Sequence, residues 1–183
     1  MIFCITGMPG SGKSMVSDTA KSLGLNVISM GDVIRDEANA RRIPETPSTL
    51  GSLMLQLRKE EGEDVVAKKC LEKIKIHHGQ VMVEGIRSLN ELNYFKANSD
   101  VCLIAVHASP KTRFERLLKR GRADDPKDLK TFLERDMREL NVGLGSVIAL
   151  ADKVFINEGT VTDISLAVKV FFEGMIVADK SPG

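Results

Sequence analysis

Tryptophan is absent from this chain of 183 residues, and one tyrosine and seven phenylalanines are its only aromatics. Faces on which unpaired bases could stack are therefore scarce, which counts against a single-strand nucleic-acid binder. Neither sign of charge is in excess: 26 Lys and Arg stand against 25 Asp and Glu, a net charge of +1. No global field draws the chain to nucleic acid or to an anionic membrane, so any anion binding has to be local. The three cysteines, Cys4, Cys70 and Cys102, lie in separate apolar segments without metal spacing and read as small buried residues in a reducing compartment. No apolar run approaches the ~18 residues of a membrane span, and the N-terminal run has no basic flank. A soluble, cytoplasmic protein is expected, with no membrane partner. There is no internal repeat and no low-complexity tract beyond a polar tail, 179–183, expected to fray.

What is present is concentrated at the start, MIFCITGMPGSGKS. Residues 1–6 are apolar, β-branched or small, as in a strand buried on both faces, and from Ser14 the pattern becomes helical. Between them Gly7, Gly12, Lys13 and Ser14 satisfy G-x-x-x-x-G-K-[ST], with Met8, Pro9, Gly10 and Ser11 inside the loop. Glycines let the backbone curl around an anion and turn successive N–H groups inward. Lys13 would reach the terminal phosphates of ATP, and Ser14 would give its hydroxyl to Mg2+. A chance match in a chain of this length is on the order of one in a hundred, and the strand and helix on either side lower that further.

The rest of the chain alternates strand and helix. A helix over 14–23 ends at Gly24, and a short strand, 26–29, delivers Gly31 and Asp32. Asp32 either caps the following helix or points into the site. From 41 to 62 the texture changes to arginines, prolines and a glycine, then apolar residues at helical spacing, which reads as an insertion, about 36–62, suited to a second substrate. An amphipathic helix over 63–76 leads to His77 and His78, assigned to its C-terminal cap rather than to a metal. The strand 80–83 ends in Glu84-Gly85-Ile86-Arg87. An acid at the carboxyl end of a central parallel strand is placed to hold the water shell of Mg2+, with an ion pair to an arginine as the alternative, and Arg87 faces the same crevice. A helix over 89–96 and a strand over 101–106 follow.

The helix 110–120 carries Arg113, Arg116 and Arg120 in one stripe, which runs into the polar break Gly121-Arg122-Ala123-Asp124-Asp125-Pro126. Leu129, Phe132, Leu133, Met137 and Leu140 mark the expected inner face of a returning helix, so that residues 120–138 form a lid. The last strand is 153–156 and a final helix buries Ile164, Val168, Phe171 and Phe172. Five strands in this order predict an α/β fold: a P-loop NTPase three-layer sandwich with a five-stranded parallel sheet, nucleotide-kinase-like, in one domain spanning 1–183 with an acceptor-side helical insertion and a short lid.

Gly31-Asp32-Val33-Ile34-Arg35, Glu84-Gly85-Ile86-Arg87, and Arg116-x-x-x-Arg120 followed by Arg122-Ala123-Asp124-Asp125 and Arg135 resemble the acceptor, strand-end and lid motifs of adenylate kinases. The chain is most similar to adenylate-kinase-related archaeal proteins without a settled activity, and its segment Ala151-Asp152 to Asn157 is similar to one in dephospho-CoA kinases. The resemblance implies that Arg35 and Arg87 hold an acceptor phosphate and that Arg116 packs on the donor adenine, which Asn157 borders. It also implies that Arg120, Arg122 and Arg135 close over the transferring phosphoryl. The chain departs from adenylate kinases at Met30, where they carry Thr, and at Glu91, where they carry Gln. Both positions help to read AMP there, and the changes count against AMP as the acceptor.

No guanine-reading N-K-x-D and no D-x-x-G switch is present, and Glu84 has no second acid after it. Arginines spread over several loops suit phosphoryl transfer between two anionic substrates. The expectation is a phosphotransferase moving the ATP γ-phosphoryl to a nucleotide or nucleotide-like acceptor, as monomer or homodimer, with nucleic acid not expected as a partner. The alternative is a P-loop ATPase acting as a regulatory or nucleic-acid-associated module.

Overall fold

The computed structural model describes residues 1–76, 79–122 and 125–179. The expectations for His77, His78, Ala123, Asp124 and the tail beyond 179 fall outside the described residues. Five strands, β1 (Ile2–Thr6), β2 (Asn26–Ser29), β3 (Val81–Glu84), β4 (Val101–His107) and β5 (Lys153–Ile156), form one parallel sheet in the order β2-β3-β1-β4-β5. The helices between them are α1 (Lys13–Ser22), α2 (Met30–Ala40), α3 (Pro47–Glu61), α4 (Val65–Ile74), α5 (Leu89–Asn98), α6 (Pro110–Arg120), α7 (Leu129–Val142), α8 (Leu144–Ala149) and α9 (Val161–Asp179).

The continuous apolar run of β1 follows from its central position. Ile2 and Cys4 pack into one core with α2, α3, α4 and α5, while Phe3 and Ile5, on the opposite face, pack with α1 and α9. Phe3 meets Phe172 edge to face at 5.0 Å between ring centres. β1 lies between β3 and β4, with Ile5 level with Glu84 and with Ile104. The strand order reverses at β1, and the loop after it opens at the crevice where α/β sheets bind ligands.

Three expectations are refined or corrected. Residues 36–40 belong to α2, whose Ala38 is fully buried, and the rest of the expected insertion is the turn after α2 together with α3. Leu53 and Leu57 of α3 are themselves buried in the core that holds α2 and α4. The expected inner face of α7 is not buried as a stripe: Phe132 is, whereas Leu129, Leu133, Met137 and Leu140 are 44–56% exposed. Phe132 is drawn inward by a charged partner described below, which sets the rotation of the helix. Among the described residues, no helix is long and apolar enough to cross a membrane.

Candidate active site

The loop from Gly7 to Gly12 joins β1 to α1 and takes positive φ at Gly7, Gly10 and Gly12. At Gly12 the need for glycine is double: φ is +96°, and a Cβ would overlap Nδ2 of Asn157. Lys13 Nζ turns back to donate to the carbonyls of Gly7 (2.7 Å) and Met8 (3.3 Å). Burial pushes its ammonium down to about 8, with the charge of Arg87 adding to the effect and Glu84 opposing it. Ser11 is fully buried and its Oγ has no hydrogen-bond partner.

Beside this loop lies a cavity of about 260 Å³, lined by Gly10, Gly12, Lys13 and Ser14 from the loop, Glu84 from β3, Arg116 and Arg120 from α6, and Arg122 just past it. Glu84 lies 70 positions beyond Ser14 and Arg116 a further 32, and the parallel sheet brings these segments to one edge. Glu84 Oε2 accepts from Ser17 Oγ at 2.8 Å. The Ser14 hydroxyl and the Glu84 carboxylate are hard oxygen donors on one cavity. That set suits Mg2+, which takes one or two protein oxygens and keeps water and phosphate for the rest. Among the described residues no group of three or more His, Cys, Asp or Glu could hold a metal.

Arg120 grips Asp125 through both Nε (2.8 Å) and Nη2, Arg135 Nη1 stands 3.5 Å from the same carboxylate, and the backbone N–H of Arg122 donates to it at 3.0 Å. Arg120, foremost among these, holds the Asp125 carboxyl down to about 2. Asp125, from the polar break that resembles a lid motif, has a side chain 2% exposed and gathers Arg120, Arg122 and Arg135. Asn157 also takes a role other than the expected one. It is 1% exposed and sits behind the loop, donating from Nδ2 to Ser11 O (2.8 Å) and accepting from Arg116 Nη2 (3.3 Å). It braces the loop and Arg116 rather than presenting a face to a base. Arg116 Nη1 is buried without a hydrogen-bond partner.

A second cavity, about 410 Å³, opens between β2, β3, α2 and α3. Met30, Ile34, Leu50, Met54 and Val66 give it an apolar wall, and Arg35 and Arg87 stand at it with side chains 45% and 50% exposed. Lys13 and Glu84 line both cavities, so the two meet at the loop. Asp32 takes neither of its expected roles. Ser29 is the N-cap of α2, and the Asp32 side chain is 58% exposed and paired with Arg35. Glu91 lines the cavity but is 2% exposed. Its Oε2 accepts from the backbone N–H groups of Arg87 (2.8 Å) and Ser88 (3.2 Å) in a capping box that starts α5, and its Oε1 accepts from Arg58 (2.8 Å).

Sequence reasoning missed four residues here. Ser17 lies one turn past the motif, and the capping box of Ser88 and Glu91 was legible from its spacing. Arg58 was hidden in a helix with many charges. Glu139 of α7 stands 3.5 Å from Arg87 Nη1, across a distance in sequence that carries no local signal.

Known proteins agree with this architecture. The protein family described as "AAA domain" matches residues 6–132. A UPF0200 protein of Staphylothermus marinus is 49% identical over 162 residues, covering 88% of this chain and 86% of the relative. A UPF0200 protein of Methanocaldococcus jannaschii is 47% identical over 166 residues, covering 89% and 84%. Among solved structures, TT1252 from Thermus thermophilus superposes with a TM-score of 0.62 at 20% identity, covering 100% of this chain and 98% of that one. Shikimate kinase from Aquifex aeolicus superposes with a TM-score of 0.57 at 14% identity, covering 96% and 98%. These structural likenesses carry the fold: a P-loop kinase-like three-layer sandwich. The expected kinship with an archaeal P-loop family is borne out.

Proposed function

We propose, from the premise that the chain belongs to the UPF0200 family and has a P-loop kinase-like fold, that it transfers the γ-phosphoryl of ATP to a nucleotide-like small molecule. The observation that carries the reading is the meeting of two cavities at Lys13, one bordered by the phosphate loop and lid arginines, the other by Arg35 and Arg87. A simple ATPase needs the first cavity; the second, apolar with cations at its edge, suits an acceptor that carries a phosphate.

In this reading the donor triphosphate lies along the loop with its terminal phosphates at Lys13, and Arg35 and Arg87 hold the acceptor phosphate in line. An acceptor oxygen forms the new bond to the γ-phosphorus while the bond to the β-phosphate oxygen breaks, leaving ADP. Ser14 and Glu84 would hold Mg2+, which supplies charge neutralisation on the phosphate oxygens. Arg120, Arg122 and Arg135 stabilise charge on the moving phosphoryl, a contribution made in the transition state.

The alternative, a phosphate-backbone patch for nucleic acid, is weakened where its cations have partners within the chain. Arg41 is paired with Glu37 at 2.7 Å, and Arg113 is buried. The deciding experiment measures ADP release from ATP and Mg2+ with AMP, other nucleoside monophosphates, dephospho-CoA, or no acceptor. Stimulation by an acceptor and recovery of its phosphorylated form is the expected result; equal ADP release in every sample, including the blank, overturns the kinase reading.

A further inference from the structure

The apolar cavity contains a buried cation that neither the phosphate loop nor the lid accounts for. Arg58, on α3, lines the cavity with a side chain 9% exposed. Its Nη2 donates to Glu91, but its Nε is buried and has no hydrogen-bond partner, with Glu63 Oε2 3.9 Å away, beyond hydrogen-bond reach. Held by Glu91 in this way, the guanidinium is a fixed group of donors in the cavity lining. Glu91 does not offer the complementary acceptor. Its two oxygens already take three hydrogen bonds, from Arg58 and from the N–H groups of Arg87 and Ser88.

The other polar side chains of this cavity are those of Lys13, Ser29, Arg35, Glu84, Arg87 and Glu91. Ser29 and Glu84 are level with each other at the ends of β2 and β3, with Lys13 nearby, and Arg35 and Arg87 are the half-exposed cations. To the lining that includes Ile34, Leu50, Met54 and Val66, Arg58 adds a guanidinium, which has donors only. A planar ring held between these apolar side chains therefore meets a donor at its edge. A carbonyl oxygen there completes the guanidinium; an amino group sets donor against donor and leaves both unpaired.

We propose that Arg58, positioned by Glu91, is the specificity-determining residue of the acceptor cavity, and that it selects nucleoside monophosphates whose base presents a carbonyl oxygen over those that present an amino group. The inference rests on the acceptor cavity of the proposed phosphotransferase and names its substrate class. A cavity of about 410 Å³ is within the range that holds a nucleoside-sized molecule.

Matched pairs of ligands vary the group in question. IMP and AMP differ at the six-position of the purine and in the proton on N1, and UMP and CMP at the four-position of the pyrimidine and in the proton on N3. Titration calorimetry of the intact protein should give IMP and UMP at least about tenfold tighter binding than AMP and CMP. Combining Arg58→Met with Glu91→Gln removes the ion pair without leaving either charge alone and keeps a capping-box residue; the ratios should fall toward one. Arg58→Lys, which keeps the charge opposite Glu91 but not the planar fork, should lower the ratios without abolishing binding, and it serves if the double variant fails to fold. Wild-type ratios at or below one, ratios unchanged in the variants, or no binding of any monophosphate each overturn the proposal. The two readings fail separately: carbonyl-selective binding without phosphoryl transfer refutes the kinase alone, whereas transfer with a preference for amino-bearing bases refutes the role of Arg58 alone.

Discussion

Arg113 of α6 grips Asp136 of α7 through two hydrogen bonds, 2.8 Å from Nη1 and 2.5 Å from Nη2, with the guanidinium 5.0 Å from the centre of the Phe132 ring. The same arginine donates from Nη1 to Pro9 O in the phosphate loop (3.2 Å) and from Nε to Ala108 O just past β4 (3.1 Å). One buried side chain thus ties the loop, a strand end and α7 together. Asp136 directly follows Arg135, so this clamp fixes the helix that carries a proposed catalytic arginine.

Asp136→Ala should therefore destabilise the whole chain by about 3 kcal/mol, because it leaves the Arg113 cation buried and unpaired. At this chain length that is a fall in Tm of roughly 6–12 °C. Arg113→Met should cost less than Asp136→Ala, since the Asp136 side chain, 12% exposed against 4% for Arg113, is the less deeply buried of the two charges. Denaturation followed by circular dichroism measures both; an unchanged melting curve for Asp136→Ala would show that the clamp is not stabilising.

Asp125 makes lid stability depend on acid. Its folded-state pKa, about 2, lies below the ordinary carboxylate value because Arg120 holds the charged form. A depressed carboxyl pKa stabilises above the unfolded pKa of about 4, and the contribution is lost as pH falls from about 4 through 2. With Arg120 38% exposed and screened by solvent, the effect is about 1–2 kcal/mol. Asp125→Asn should remove that acid sensitivity and lower stability at neutral pH by a similar amount. A wild-type and variant stability difference that stays constant from pH 6 to pH 2.5 would contradict it.

How much of this was legible in the sequence depends on how local each signal is. The strand-glycine-helix punctuation placed β1, the phosphate loop and α1 nearly to the residue, and runs of apolar residues found all five strands. The crossover rules then gave the parallel sheet. Pairings across long separations gave no such signal: Arg113 and Arg116 looked alike on one helical stripe, yet Arg113 is buried because Asp136, 23 positions on, neutralises it. Leu129, Leu133, Met137 and Leu140 repeat at helical spacing as a core face does, but that pattern cannot report whether an opposing layer exists. The resemblance puts Asn157 at the border of the donor adenine, and only the fold shows that the space behind Gly12 is where its amide fits.

Lys13→Ala should lower phosphoryl transfer at least ~100-fold, as loss of transition-state charge stabilisation does. The pH dependence of ATP binding gives a second test. Free Lys13 has a pKa lowered to about 8 by burial, and bound phosphate favours the charged ammonium and raises it again. ATP affinity should therefore be flat below pH 8 and fall as pH rises above it, because binding then has to take up a proton. In Lys13→Met that decline should vanish. Full activity in Lys13→Ala, or a decline that survives in Lys13→Met, would place the titrating group elsewhere.

Arg120→Ala should separate binding from chemistry. In this structure Arg120 is bound to the Asp125 carboxylate while lining the donor cavity, so it is gathered beside the loop but already neutralised. Its contact with the substrate has to strengthen as negative charge spreads over the transferring phosphoryl, when that anion competes best with Asp125. Losing such an interaction lowers kcat and kcat/KM together and changes ground-state ATP affinity little. We expect a fall in kcat of about 100-fold with ATP affinity within about threefold of wild type. Single-turnover transfer and equilibrium ATP binding on the same variant measure the two terms. Equal losses in both would assign Arg120 to holding ATP in the ground state, with the lid carboxylate of Asp125 merely storing it between turnovers.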